Sequence, residues 1–226
     1  LTGPPRLSIF DMDRTLTRGG SYSPWLFFWA WHEAPWRLAL LPLSLLAGAA
    51  YLLKLVSRGR LKEINHYLLM GAESDPARVE VCAENFAEQV MLPRAFADAR
   101  LRVAAEQAEG RRVVLATASY GFYVRAIARR FGITDVVATG SKRNAAGAIL
   151  SKLCGENCYG EAKRRMVDAW LLHEAIDAGA ADIRFFSDHH SDAPMFALAG
   201  EGIAVNPTRK LAAMAAARGW RIENWR

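Results

Sequence analysis

Two carboxylates one residue apart, Asp11 and Asp13, stand directly after the short apolar run Leu7 to Phe10. Alternate residues of an extended chain share a face, so two such acids repel unless a cation or a proton intervenes. Asp188 and Asp192, behind a second apolar run at Ile183 to Phe186, add more negative charge, and Lys163 is a cation able to neutralise part of it. Acids clustered without cysteine or histidine ligands suit a hard, oxygen-loving ion, and Mg²⁺ is the usual choice where phosphate is handled. Thr117 and Ser119 follow a third apolar run, Arg112 to Ala116, and offer hydroxyls to an oxyanion. Taken singly, each feature has a plainer reading: an Asp pair caps a turn, a lysine sits solvated on a helix, a hydroxyl caps backbone.

The elements that must position these residues alternate. After Pro93 the pattern predicts helix Ala95 to Glu109, strand Arg112 to Ala116, helix Gly121 to Phe131 and strand Asp135 to Ala138. A looser stretch from Thr139 to Tyr159 could hold a hairpin. Helix Glu161 to Ala178, strand Ile183 to Phe186, helix Ser191 to Leu198, a last strand Ile203 to Val205 and helix Pro207 to Ala217 follow. Parallel strands need crossovers, so this alternation predicts an α/β fold, a doubly wound parallel sheet with helices on both faces. Ligands then sit beyond the carboxyl ends of the strands, where the polar residues above should meet. Between Arg18 and Arg94 the sequence predicts helices only: Trp25 to Trp31, Trp36 to Val56, Arg60 to Met70 and Asp75 to Val90. The expected organisation is an α/β core of residues 1–17 and 95–226 with an inserted all-helical cap of residues 18–94.

Asp11-Met12-Asp13-Arg14-Thr15 resembles the D-x-D-x-T signature of haloacid dehalogenase superfamily phosphatases. Val113 to Ser119, Lys163 and Ser187 to Asp192 follow in that family's order, and the helical insertion resembles the cap of its phosphoserine-phosphatase-like branch. The resemblance implies Asp11 as nucleophile, Asp13 as general acid and base, and Thr117 and Lys163 as catalytic groups on the phosphoryl oxygens. It implies Mg²⁺ held by Asp11, the Asp13 carbonyl and Asp188. Arg14, Ser119 and Asp192 are the expected substrate-binding residues, and the resemblance also implies that Asp192 orients Lys163 or completes the outer shell of the metal. Of the two hydroxyls at the second motif, Thr117 is preferred, with the Ala118 N–H beside it. The implied activity is Mg²⁺-dependent hydrolysis of a small phosphomonoester through an aspartyl-phosphate. Phosphoserine phosphatases carry a glutamate nine residues after the nucleophile to receive the substrate amino group, and here that position is Gly20. Phosphoserine is therefore not the expected substrate.

Composition bounds the rest. The chain has 226 residues, is 52% hydrophobic and carries a net charge of +6. That excludes a disordered or collagen-like chain and favours anionic partners. Three cysteines cannot build a disulfide framework, which predicts a reducing, cytoplasmic setting. Cys154 and Cys158 lack a second ligand pair, and His189-His190 lacks zinc spacing, so free thiols and loop residues near the pocket are expected. Leu1 to Phe10 has a single arginine and too short an apolar run for a signal peptide.

Four of the seven tryptophans, Trp25, Trp29, Trp31 and Trp36, fall within twelve residues, and Leu38 to Leu53 follows without a charge. Arg37, Lys54, Arg58, Arg60 and Lys62 flank that stretch. Such a mixture describes a surface for an anionic membrane, with a peripheral location and a phosphatidylglycerophosphate-type lipid substrate as the corresponding alternative. The plainer reading is that these faces bury against each other, against the core or in a homodimer. A non-catalytic, membrane-docked module on the same fold is the rival to an enzyme, as is phosphoryl transfer to an acceptor other than water. Nucleic acid is not an expected partner, because the basic residues are scattered.

Overall fold

The computed structural model describes residues 3–226; Leu1 and Thr2, the start of the expected core segment, lie outside the described residues. The central strand β1 (Arg6–Phe10) is covered on both faces, with Leu7 and Ile9 in one apolar cluster and Phe10 in the other. Its neighbours are β3 (Arg112–Tyr120) and β6 (Asp182–Ser187), both parallel to it. Beyond β3 lies β4 (Asp135–Arg143), and beyond β6 lie β7 (Glu201–Val205) and β8 (Arg221–Glu223), all parallel. The chain thus winds outward from β1 in one direction and then restarts on its other side, leaving a switch point at the carboxyl end of β1.

Helices cover both faces. α5 (Ala97–Ala108) and α6 (Gly121–Arg130) bury Val103, Val124 and Ile127 against one face, while α7 (Glu161–His173) and α9 (Arg209–Arg218) bury Val167, Leu171 and Leu211 against the other. α9 shows how the sequence marks such elements: Thr208 caps its start by accepting the Leu211 N–H, and Gly219 ends it in the left-handed conformation, φ 70°.

The expected hairpin is β4 with β5 (Ile149–Cys154), antiparallel at the sheet edge. The insertion holds α1 (Tyr22–Glu33), α2 (Leu41–Leu52), α3 (Arg58–Leu69) and α4 (Pro76–Phe86). The expectation of helices alone there is corrected by β2 (Glu73–Ser74), which pairs antiparallel with β5; two residues are too few to leave a period in sequence. Ile203 to Val205 is likewise not the last strand, since β8 follows it as a short, charged edge. Nor is Trp36 to Val56 one helix. Residues Pro35–Leu40 form a 3₁₀ turn and α2 begins at Leu41, because the Pro42 ring would strike the carbonyl four residues back in a continuous helix. The two chains entering the insertion run side by side, Arg18 N–H donating to Arg94 O at 2.8 Å and Phe96 N–H to Leu16 O at 3.0 Å.

The insertion does not keep its apolar groups to itself. Trp25 and Trp29 of α1 are buried, and Trp25 stacks on Tyr123 of α6 at 4.9 Å and meets Phe86 of α4 edge-on. Of the four clustered tryptophans, Trp25 and Trp29 therefore belong to the core, whereas Trp31 and Trp36 are exposed. Trp220 stacks on Phe196 and Trp225 lies against Phe10 and Phe186, both packed on the core.

Ser8 is the one buried polar residue of β1, and its burial requires partners. Its hydroxyl donates to Glu106 at 2.5 Å and accepts from Arg111 Nε at 2.8 Å. Glu106, only 1% exposed, also takes Arg184 and Arg102, and Arg111 reaches Asp182 and Leu7 O. Burial works against the Glu106 carboxylate, but the Ser8 hydroxyl and Arg184 outweigh it and hold its pKa below the ordinary value. Such a group contributes stability above its unfolded pKa of about 4.3 and loses it as pH falls through the lower folded value. Glu106→Ala leaves the Ser8 hydroxyl without its acceptor and takes one of two carboxylates from Arg111, so chemical denaturation should show a loss of about 1–3 kcal/mol at neutral pH. The wild-type advantage over that variant should shrink on acidification, and a constant difference would contradict the assignment.

Candidate active site

Past β1 the chain coils about one carbonyl. Met12 O accepts from the Thr15, Leu16 and Thr17 N–H groups, and Arg14 takes the left-handed φ of 65° that so tight a turn demands. Asp11 continues the sheet, its N–H donating to Phe186 O at 2.9 Å, so its side chain is fixed by β1 and β6 together. Thr15 ties two loops: it donates to Asp11 Oδ2 at 3.4 Å and accepts the Asp188 N–H at 3.1 Å.

Lys163, from the first turn of α7, donates to Asp11 Oδ1 and to Asp192 Oδ2, each at 2.8 Å, and is 2% exposed. Burial alone would favour its neutral form, but Asp11 and Asp192 outweigh that and raise its pKa. Asp192 also accepts from the Ser187 hydroxyl at 2.7 Å, while its Oδ1 is buried without a partner among the described residues. Asp192 thus holds Lys163 on one side while Asp11 holds it on another.

These groups open on a cavity of about 290 Å³. Asp11, Asp13, Thr117, Lys163, Asp188 and Asp192 all line it, with Arg14, Arg58 and Tyr159 at its wall. The structure therefore brings together six residues that come from four separated segments. Thr117 lies on β3 rather than past it, for the strand runs four residues beyond the expected Ala116, and its register with β4 shifts between Thr117 and Tyr120. A bulge of this kind re-aims side chains at a strand end. The Thr117 oxygen accepts the Ser119 N–H at 3.2 Å, which leaves its own proton free for another acceptor.

Ser119 is placed differently from the expectation. It is buried, absent from the cavity wall, and donates to Asp13 Oδ2 at 3.1 Å. The Ser21 N–H donates to Asp13 Oδ1 at 2.9 Å, and the Ser21 hydroxyl bridges Ser119 at 2.9 Å and Tyr123 at 3.1 Å. On a bulged strand the side chain two residues on from Thr117 faces protein, which is why Ser119 meets Asp13 instead of a ligand. Burial nevertheless raises the Asp13 pKa above its ordinary value, against these hydrogen bonds.

The acids outnumber their cation. Burial pushes Asp11 up to about 7 in spite of Lys163, and burial with the nearby Asp192 charge pushes Asp188 up to about 6. A site that strains to ionise its carboxylates, and whose acids supply clustered oxygen donors, fits a hard divalent cation. Among the described residues no three His, Cys, Asp or Glu side chains converge as a ready-made cage. Two carboxylates and a carbonyl are a sparse set of the kind Mg²⁺ accepts, because it keeps several waters.

Several residues at the site went unassigned in the sequence. Ser21 carried the only available signal, as a hydroxyl residue just ahead of α1. Lys62 of α3, expected among the cations flanking the apolar stretch, is instead buried: it donates to Ala118 O and, at 2.7 Å, to Asn157 Oδ1, latching the insertion to β3, and burial lowers its pKa to about 8. His189 lines the cavity with Nδ1 against Ser191, Cys154 is exposed and Cys158 buried, and neither cysteine is in a disulfide.

The chain is 32% identical over 205 residues to protein CicA of Caulobacter vibrioides, covering 87% of this chain and 84% of that one. It is 32% identical over 117 residues to phosphoserine phosphatase SerB1 of Mycobacterium tuberculosis, covering 52% of this chain. It spans only 37% of that mycobacterial relative's length. Among solved structures, a Bordetella pertussis Tohama I protein of unknown function superposes with a TM-score of 0.87 at 26% identity, over 97% of this chain and 98% of that one. The family model described as haloacid dehalogenase-like hydrolase matches residues 9–197. Since that match runs from the first strand to the turn beyond Asp192 and takes in every loop that meets at the cavity, the chain belongs to the haloacid dehalogenase-like hydrolase family.

Proposed function

We propose that this chain hydrolyses small phosphomonoesters through an aspartyl-phosphate. The observation that carries the reading is the buried bridge from Lys163 to Asp11 and Asp192, both at 2.8 Å, at the floor of a cavity shared with Asp13, Asp188 and Thr117.

The bond from an Asp11 carboxylate oxygen to phosphorus forms as the bond from phosphorus to the leaving oxygen breaks. Lys163 and Thr15 hold the two Asp11 oxygens, so the carboxylate meets phosphorus with its plane already set. Thr117 has a proton to give a phosphoryl oxygen, and Lys163 offers positive charge where negative charge redistributes. Asp13 protonates the leaving oxygen, then takes a proton from the water that attacks phosphorus and releases phosphate. Its raised pKa suits the first task, and Ser119 and Ser21 aim it. Asp11, the Asp13 carbonyl and Asp188 would hold Mg²⁺, which when bound screens the repulsion between carboxylate and phosphate. Ser119 enters as a positioning residue for Asp13 rather than a contact to substrate.

Phosphoserine fits poorly. Gly20 lines the cavity, a side chain built there meets nothing within 4 Å, and all the lining acids belong to the floor just described. The wall instead carries Arg14 and Arg58, which favour an uncharged or anionic remainder over an ammonium group. The name of the mycobacterial relative therefore does not extend to this chain's substrate.

With Mg²⁺ and a panel of phosphate esters, Asp11→Asn should lower kcat by at least about a thousandfold with an unchanged melting temperature, and normal turnover would overturn the mechanism. Asp188→Asn should raise the Mg²⁺ concentration for half-maximal rate by at least about tenfold, since even changes behind a metal ligand cost that much. Ser119→Ala should slow alkyl phosphates by about tenfold to a hundredfold yet leave p-nitrophenyl phosphate nearly unchanged, because a good leaving group needs no aimed acid. An equal loss on both substrates would instead make Ser119 a contact to the phosphoryl group.

A further inference from the structure

The insertion leaves the outer face of one long apolar segment uncovered, although Leu38 and Leu41 pack against the core. No residue of α2 is fully buried against the described part of the chain, and Trp36, Leu45, Leu46, Leu52 and Leu55 are all more than 60% exposed. Isolated exposed leucines are normal, but a contiguous apolar run of this length is not.

Residues Pro35–Leu52 are long and apolar enough to cross a bilayer by length and composition alone. The fold denies them that course. Before the segment, α1 is anchored in the core by Trp25; after it, α3 is anchored by Lys62 and by the Tyr22 hydroxyl, which donates to Lys62 O at 3.0 Å. Within it, Arg37 donates to Leu68 O at 2.9 Å and Ser44 to Asn65 at 3.0 Å. Both ends thus stay on the same side of any membrane, and the segment can lie in an interface but cannot traverse it.

Charge decides the occupant. From Ala34 to Lys62 there is no acid, and Lys54 and Arg58 follow the segment and are exposed, whereas Arg60 is paired with Glu63 at 2.9 Å. A symmetric pairing of two copies through this face would bring those cations together. An anionic headgroup layer complements them, with apolar side chains below and cations and tryptophan at the boundary.

We propose that the outer face of the insertion, Trp36 to Leu55 with Lys54 and Arg58, docks on an anionic lipid bilayer. Arg58 belongs both to this flank and to the wall of the active-site cavity, so docking sets the cavity mouth beside the headgroups. The docking does not rest on the hydrolytic reading, and its test reads binding rather than turnover.

The test is co-sedimentation with phosphatidylcholine vesicles with and without about 30% phosphatidylglycerol, with tryptophan emission recorded in parallel. The chain should pellet with the anionic vesicles only, with a blue shift, and detach in about 0.5 M salt. Leu46→Gln with Leu52→Gln should weaken binding at least about tenfold, and Lys54→Glu at least about fivefold, without moving the melting temperature. No binding to anionic vesicles overturns the proposal, as does equal binding to neutral ones. A stable dimer that both variants disrupt, without vesicle binding, would give the face to a second copy instead.

Discussion

A single ammonium group organises this molecule's chemistry. Lys163 is nearly inaccessible to water and tolerable there only because two carboxylates from other elements meet it. Asp11 reaches it from the end of β1, Asp192 from the turn behind β6, and Lys163 itself from the start of α7. None of the three could be buried alone. Their mutual dependence fixes the spacing of the elements at the switch point of the sheet, and it leaves Asp11, the proposed nucleophile, oriented before any ligand arrives.

The surplus of acid over base follows from the same arrangement. One lysine serves Asp11 and Asp192, while Asp188 has the Arg14 and Lys163 charges and its own backbone N–H to favour its ionised form, and burial outweighs them. A site so constituted is poised for a cation and for a substrate whose own charge the cation and lysine can share. Asp13 stands apart, held by hydroxyl and amide donors rather than by a cation, which suits the proton transfers proposed for it. Two acids one residue apart thus acquire different work through their surroundings.

The insertion contributes through two faces that the sequence runs together. Its inner face enters the common core through Trp25, Trp29 and Phe86 and latches to β3 through Lys62. Its outer face carries Trp31, Trp36 and the leucines of α2. Both kinds of tryptophan occupy one short stretch, and α1 is apolar nearly all round, so periodicity could not separate them.

The alternation of strand and helix, the acids beyond β1 and β6, and Lys163 at a helix start were legible because each depends on local patterning: period, turn chemistry and residue type at the end of an apolar run. The same patterning placed Thr117 correctly on the cavity. It failed for β2 and β8, which are too short or too charged to show a period, and for the break at Pro42, where ring sterics override an unbroken apolar run. It also failed for Ser119. Whether that hydroxyl faces a ligand or Asp13 depends on a bulge between β3 and β4, and for Lys62 and Tyr123 the partners lie dozens of residues away. Local propensities are written along the chain, but which polar groups satisfy one another is decided only when distant segments are packed together and every buried donor must find an acceptor.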